Sequence, residues 1–173
     1  MRAFACLALL LLAIGCVPRT PPPTGARTPL PAPAAPPAPV LPPLAADWRD
    51  WPVTAGTWTY QRDGRGSAAL FGQAGTAAIA LLRCDLPNRR LFLSRAGAGV
   101  GPFTVRTTST ARQLATGSTG GEPPYVAATL PATDPLLDAM AFSRGRFTLQ
   151  QPGQPPLVLP AWAEVGRVVE DCR

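Results

Sequence analysis

From residue 57 onwards, apolar positions recur mostly at every second residue, and Gly, Asn, Asp and Pro punctuate them. An extended chain points successive side chains to opposite faces, so this spacing predicts half-buried strands. Trp58 and Tyr60 alternate with Thr57 and Thr59, and Asp63-Gly64-Arg65-Gly66 is a tight-hairpin signal that returns the chain into a strand over Ser67 to Phe71. The stretch from Thr76 to Cys84 is almost wholly apolar, which predicts a central strand covered on both faces, and Asp85 to Asn88 turns the chain. Leu91 and Leu93 then share a face, as do Phe103, Val105 and Thr107. Further strands are predicted at Tyr125 to Leu130, Arg146 to Gln150 and Leu157 to Leu159. The run Gly97-Ala98-Gly99-Val100-Gly101 has neither the Lys nor the following helix of a phosphate loop, and reads as a flexible hairpin connection.

Two stretches switch to helical spacing. Asp134-Pro135 is an N-cap followed by Pro at the first helical position. Leu136, Leu137, Met140 and Ala141 then fill about two turns, and Gly145 ends them. After Pro160, Ala161, Val165, Val168 and Cys172 fall on one face. Glu164, Arg167 and Asp171 lie opposite, at steps that allow ion pairs along the helix. No stretch repeats at a fixed period, so a propeller or solenoid is not expected. The expected fold is mainly β, an antiparallel sandwich or barrel with a short internal helix and a C-terminal closing helix.

The first 46 residues follow different rules. Arg2 precedes an unbroken apolar run from Ala3 to Ile14 that ends in Gly15-Cys16. The run falls short of the ~20 residues a spanning helix needs, and matches a secretory signal peptide instead. Leu12-Ala13-Ile14-Gly15-Cys16 resembles the lipobox of bacterial lipoproteins, although Ala13 stands where that motif usually has Leu. The resemblance implies a signal peptide over 1–15 and acylation of Cys16. Val17 rather than Asp follows the cysteine, which by the same resemblance points to the outer membrane, facing the periplasm. Each buried CH₂ of an acyl chain contributes ~0.8 kcal/mol, so several chains on one residue make a stable anchor. Residues 17–46 then hold 12 Pro in 30 positions. Pro fixes φ and removes the backbone donor, so 16–46 is expected to be a lipidated cysteine and a disordered, polyproline-like tether. At ~3.1 Å per residue it reaches up to about 90 Å. Residues 47–173 remain for a single β-rich domain.

Composition narrows the chemistry. The chain has no His and no Lys, which removes imidazole-based triads and metal sites, Schiff-base cofactors and Walker-type phosphate loops. No cofactor and no metal are expected. Residues 47–173 hold 13 Arg against 10 acidic residues, a mild excess that does not amount to a nucleic-acid footprint. Arg83, Arg89, Arg90 and Arg95 gather around one predicted turn. They are a candidate anion-binding patch for an anionic glycan, a lipid headgroup or an acidic protein, or else a solvated face. Arg144 and Arg146 stand apart from them. Carboxylate pairs are the only catalytic grouping left, namely Asp134 with Asp138 and Glu170 with Asp171. Asp134 is better explained as a helix cap and the second pair as solvated, so no catalytic residue is assigned. Trp48 and Trp51, at the junction with the tether, are expected to dock it onto the domain.

Two cysteines remain after the leader and Cys16, and in an exported chain an even pair predicts a disulfide between Cys84 and Cys172. Leu136-Leu137-Asp138-Ala139-Met140, Gly145-Arg146-Phe147-Thr148-Leu149 and Leu157-Val158-Leu159-Pro160, followed by a helix ending in Cys172, resemble the closing segment of invasion-associated locus B-type proteins. Those are small periplasmic β-sandwich proteins of α-proteobacteria, mostly without assigned chemistry. Trp162-Ala163-Glu164 through Glu170-Asp171-Cys172-Arg173 resembles a group of α-proteobacterial envelope lipoproteins. Ala55-Gly56-Thr57-Trp58 resembles the opening strand of bacterial metalloprotease-inhibitor barrels, whose short disulfide loop this chain lacks. None of these resemblances carries a functional residue. The expected role is a lipid-anchored, non-enzymatic binding or structural module, with an envelope protein or wall polymer as partner and the membrane reached through the lipid. The alternative is an inhibitor-like or accessory factor for an envelope enzyme, and a carbohydrate-processing hydrolase stands third.

Overall fold

The computed structural model describes residues 44–173, so the expected signal peptide, Cys16 and most of the tether lie outside the described residues. Within them are ten strands and two α-helices. The strands are β1 (Thr57–Asp63), β2 (Gly66–Gly72), β3 (Ala80–Asp85), β4 (Arg90–Ala96), β5 (Phe103–Arg106), β6 (Ala111–Leu114), β7 (Gly117–Ser118), β8 (Tyr125–Pro131), β9 (Arg146–Gln150) and β10 (Leu157–Pro160). The helices are α1 (Pro135–Ala141) and α2 (Ala163–Asp171). One antiparallel sheet has the order β1-β2-β3-β4-β8-β7 and the other β10-β9-β5-β6. The fold is therefore a mainly β sandwich with two short helices, and neither sheet closes into a barrel.

Alternation builds the core. In the larger sheet, cross-strand rows run Trp58–Phe71–Ala80 and Ala69–Leu82–Leu93–Ala128, and all of these side chains are buried. Phe103, Val105, Phe147, Leu149 and Leu159 of the smaller sheet close over them, fully buried. The β1–β2 hairpin turns at Gly64-Arg65 as its sequence predicts, with Asp63 opposite Gly66. Gly66 has φ +145°, and a Cβ there would lie 2.6 Å from the Cys84 carbonyl oxygen, so only glycine lets β2 pass this close to the end of β3.

Three expectations change. The apolar stretch beginning at Thr76 enters a strand only at Ala80, and the outer face of that strand stays half-exposed at Leu81 and Arg83. Among the described residues no further layer covers that side, so β3 is central in the sheet but not covered on both faces. The Gly97–Gly101 run is not a hairpin connection, because β4 belongs to the large sheet and β5 to the small one, and the run crosses between them. The polar face of α2 does not pair along the helix. Arg167 instead stacks over the Tyr60 ring, 4.0 Å from its centroid, and Asp171 accepts from the Tyr60 hydroxyl at 2.6 Å and from Arg62 at 3.4 Å. These contacts fasten α2 to β1. Burial works to raise the Asp171 pKa, but the Tyr60 hydroxyl and the Arg62 and Arg167 charges outweigh it and hold the carboxyl below its usual range.

The start of α1 follows its sequence signal. The Asp134 carboxylate accepts from the Leu136 N–H at 2.9 Å, with Pro135 at the first helical position. It also takes both arms of the Arg112 guanidinium, at 2.8 and 2.7 Å. Burial pushes the Asp134 pKa up, but the Arg112 fork and the Leu136 N–H outweigh it and hold it below the ordinary carboxylate value. A depressed folded-state pKa contributes stability that is present above the unfolded-state value and lost as pH falls through the folded one. Asp134→Ala is expected to lower stability by about 1–2 kcal/mol at pH 7, the usual effect of removing a cap. Urea midpoints measured from pH 7 down to pH 2 are expected to converge for the two proteins as the native carboxyl protonates. A gap that persists unchanged to pH 2 would show that the charge contributes nothing.

Candidate functional site

Cys84 ends the inner row of β3 and Cys172 caps α2, and the two are joined as a disulfide with Cα atoms 5.5 Å apart. Both are fully buried beside Leu91, Val165 and Val168. The closing helix thus packs over the larger sheet, as the spacing of its apolar face predicts. The bond is sealed from solvent at both ends, as a structural disulfide is.

The four arginines of the expected patch do not form one face. Arg90 and Arg95 are five residues apart on one strand, and an odd separation sends them to opposite sides of the sheet. Arg90 is exposed and lies opposite Asp85. Arg95 points inward and is only 4% exposed, with Nη1 donating to the Leu149 carbonyl at 3.3 Å and Nη2 to the Pro155 carbonyl. Arg83 is taken up by Asp63 at 2.8 Å. The Arg83 side chain and the Arg65 N–H hold the Asp63 pKa below its usual range. Arg89 sits in a left-handed turn after β3, with φ 48°. Only Arg89 and Arg90 of the four remain exposed side by side.

The carboxylate pairs are likewise separated by their partners. Asp134 caps α1 and holds Arg112, whereas Asp138 faces Arg173 at 2.8 Å. Asp171 is bound to Tyr60 and Arg62, and its neighbour Glu170 is exposed. Trp58 is buried and donates from its indole to the Pro160 carbonyl at 2.8 Å, linking β1 to the end of β10. Trp51 is half-buried and donates to Ala45 at 2.7 Å. Downstream of Trp51, Thr54 exchanges two hydrogen bonds with Val158 on the edge of β10.

The sequence reading missed a cleft of ≈ 690 Å³ formed where three segments meet. They are the 3-10 turn Trp48–Asp50, the β5–β6 turn around Thr108 and Ser109, and the loop from Phe142 to Arg146. Arg49, Arg144 and Arg146 line it together with Trp48 and Phe142, and no Asp or Glu does. Buried Ser143 stitches the two loops, accepting from the Thr108 N–H at 3.1 Å and donating to the Arg146 carbonyl. Arg144 N–H donates to Thr108 Oγ1 at 3.3 Å, and Arg146 Nη1 donates to the Trp51 carbonyl at 2.8 Å. Gly145, at φ +76°, supplies the left-handed step that sets both arginines on the same cleft. One local signal was present, an Arg-Gly-Arg triplet closing a helix. The contribution of Trp48 and Arg49, nearly a hundred residues away in the chain, was not.

No protein-family model, curated protein or solved structure matches this chain.

Proposed function

We propose that this chain is a lipid-anchored protein of the cell envelope, whose tethered sandwich is a non-enzymatic binding module facing the periplasm. The observation that carries the binding role is the preformed cleft, cationic and aromatic and lined by no carboxylate. Of the carboxylates that could offer acid–base chemistry, Asp134 caps α1 and pairs with Arg112, Asp138 pairs with Arg173 and Asp171 with Arg62. The envelope location is supported by the lipobox-like leader, the Pro-rich segment and a disulfide, a bond that persists in oxidising compartments. Cys16 is the acylated residue in this reading and the membrane its first partner.

The anchor is tested on the full chain with Cys16→Ser. The native protein is expected to take up metabolically supplied fatty acid and to sediment with membranes. The variant is expected to lose the label and either leave the membrane fraction or retain its uncleaved leader. A Ser variant of unchanged mass that still partitions into membranes would overturn the lipid anchor. Turnover of any substrate that Asp134→Asn or Asp138→Asn abolishes without unfolding would overturn the non-enzymatic role.

A further inference from the structure

We propose that the cleft between the Trp48–Asp50 turn and the Phe142–Arg146 loop binds a phosphorylated sugar. The phosphate would be held by Arg144 and Arg146 with Arg49, and the sugar ring would lie against Phe142 and Trp48. This inference rests on the binding-module reading and gives it a site and a ligand class.

The charge argument comes first. Three guanidinium groups line one cleft without a carboxylate among its walls. Arg49 leans on exposed Asp47 at 3.3 Å, just outside the lining. Among the described residues neither Arg144 nor Arg146 is ion-paired. Arg146 is oriented by one arm on the Trp51 carbonyl, which leaves its remaining donors free. Guanidinium forks match phosphate oxygens two at a time, and a dianion accommodates more than one fork where a carboxylate accommodates about one.

The second argument is shape and apolar lining. A cleft of ≈ 690 Å³ falls within the range of small-molecule sites. Phe142 is 77% exposed, although its backbone is fixed by N–H bonds to the end of α1. An aromatic ring held in water at the rim of a cationic cleft is placed to stack on a face that is partly apolar, as a sugar ring is. Trp48 provides a second ring, over which Arg49 already lies at 5.1 Å. The Thr108 and Ser109 hydroxyls, also in the lining, suit sugar hydroxyl groups. The third argument is preorganisation. Ser143 and Thr108 tie the two loops together before any ligand arrives, so little ordering remains to oppose binding.

Calorimetric titration of the detergent-solubilised full chain with glucose 1-phosphate, inorganic phosphate and glucose tests the assignment. Saturable one-to-one binding of glucose 1-phosphate is expected, with inorganic phosphate at least tenfold weaker and no detectable heat from glucose. Arg144→Gln is expected to weaken glucose 1-phosphate tenfold or more. Phe142→Ala is expected to erase the preference for glucose 1-phosphate over inorganic phosphate. Arg90→Gln, on the exposed arginine of the other sheet, is expected to change neither. Absence of saturable binding, equal weakening by Arg90→Gln, or an unchanged sugar preference in Phe142→Ala would each overturn the proposal. So would a single-stranded oligonucleotide that binds the same cleft more tightly than glucose 1-phosphate.

A vesicle arm separates the two sources of such a group. Cys16→Ser protein that pellets with phosphatidylinositol 4-phosphate in phosphatidylcholine, and ceases to on adding Arg144→Gln, places the ligand on a lipid headgroup. Failure to pellet with glucose 1-phosphate binding intact places it on a soluble saccharide. Release of phosphate from glucose 1-phosphate, lost in Arg144→Gln, would uphold the cleft while overturning the non-enzymatic role.

Discussion

Cys84→Ser and Cys172→Ser are each expected to lower the unfolding free energy by about 4–5 kcal/mol, and the double variant by little more. The two cysteines are 88 residues apart in sequence, so the bond closes a long loop in the unfolded chain. The chain-entropy relation gives about 4.6 kcal/mol for a loop of that length at 25 °C. Native packing adds to the effect, because both cysteines are fully buried in the fold. The single variants share one link, so their effects are expected not to add. Urea unfolding of the native protein and the three variants measures this, and the oxidised native chain is expected to be two hydrogens lighter than the reduced one. Additive losses, with the double variant near twice either single one, would show that the cysteines act through packing and not through their bond.

That bond illustrates what local chemistry makes legible. A pair of cysteines, a helix whose apolar face includes the second of them and an apolar strand ending at the first are enough to predict the seam, because each signal is written within a few residues. The Asp63–Gly66 hairpin and the Asp134-Pro135 cap are legible for the same reason. The turn geometry demands those residue types at those positions.

Partnerships between distant segments are not written locally. Ala111–Leu114 offers a single buried residue, Leu114, and forms β6 only because β5 presents an unpaired edge beside it. The two-residue β7 depends in the same way on β8. Arg167 and Asp171 have helix-neighbour spacing, but Tyr60 and Arg62 on β1 offer them an aromatic face, a hydroxyl and a charge at closer quarters. The arginine cleft draws its walls from opposite ends of the domain. No window of sequence contains it.

Arg95 parts from Arg83, Arg89 and Arg90 for a reason the sequence contains. Leu91, Leu93 and Arg95 have the same parity, so whichever face buries the leucines must also receive Arg95. Proximity in sequence alone does not place side chains on one face. In the structure Arg95 occupies a cross-strand row between Ala80 and Val126, with Phe71 beyond Ala80. An arginine in an apolar row is tolerated only where fixed acceptors meet its donors. The Leu149 carbonyl on β9 and the Pro155 carbonyl in the β9–β10 turn do so.

Arg95 therefore works as a strut between the two sheets, and its removal is expected to have the second large effect. Burial lowers its pKa, yet a guanidinium keeps its proton at any ordinary pH, so the charge stays and the carbonyls must solvate it. Arg95→Ala removes the stem that fills the row and the donors of two inter-sheet bonds. Lost packing and acceptors left without donors together are expected to lower stability by about 3 kcal/mol. Arg95→Met keeps most of the stem and removes a charge whose desolvation opposes folding, so its loss is expected to be about 1 kcal/mol. Arg95→Lys keeps the charge but has no planar fork to span both carbonyls, and is expected to fall between them or below Met. Urea midpoints of the three variants rank these contributions. If Arg95→Met is as unstable as Arg95→Ala, the hydrogen bonds to Leu149 and Pro155 outweigh packing and desolvation together. If Arg95→Ala unfolds at the native midpoint, the two sheets hold together by apolar contact alone and the strut has no energetic role.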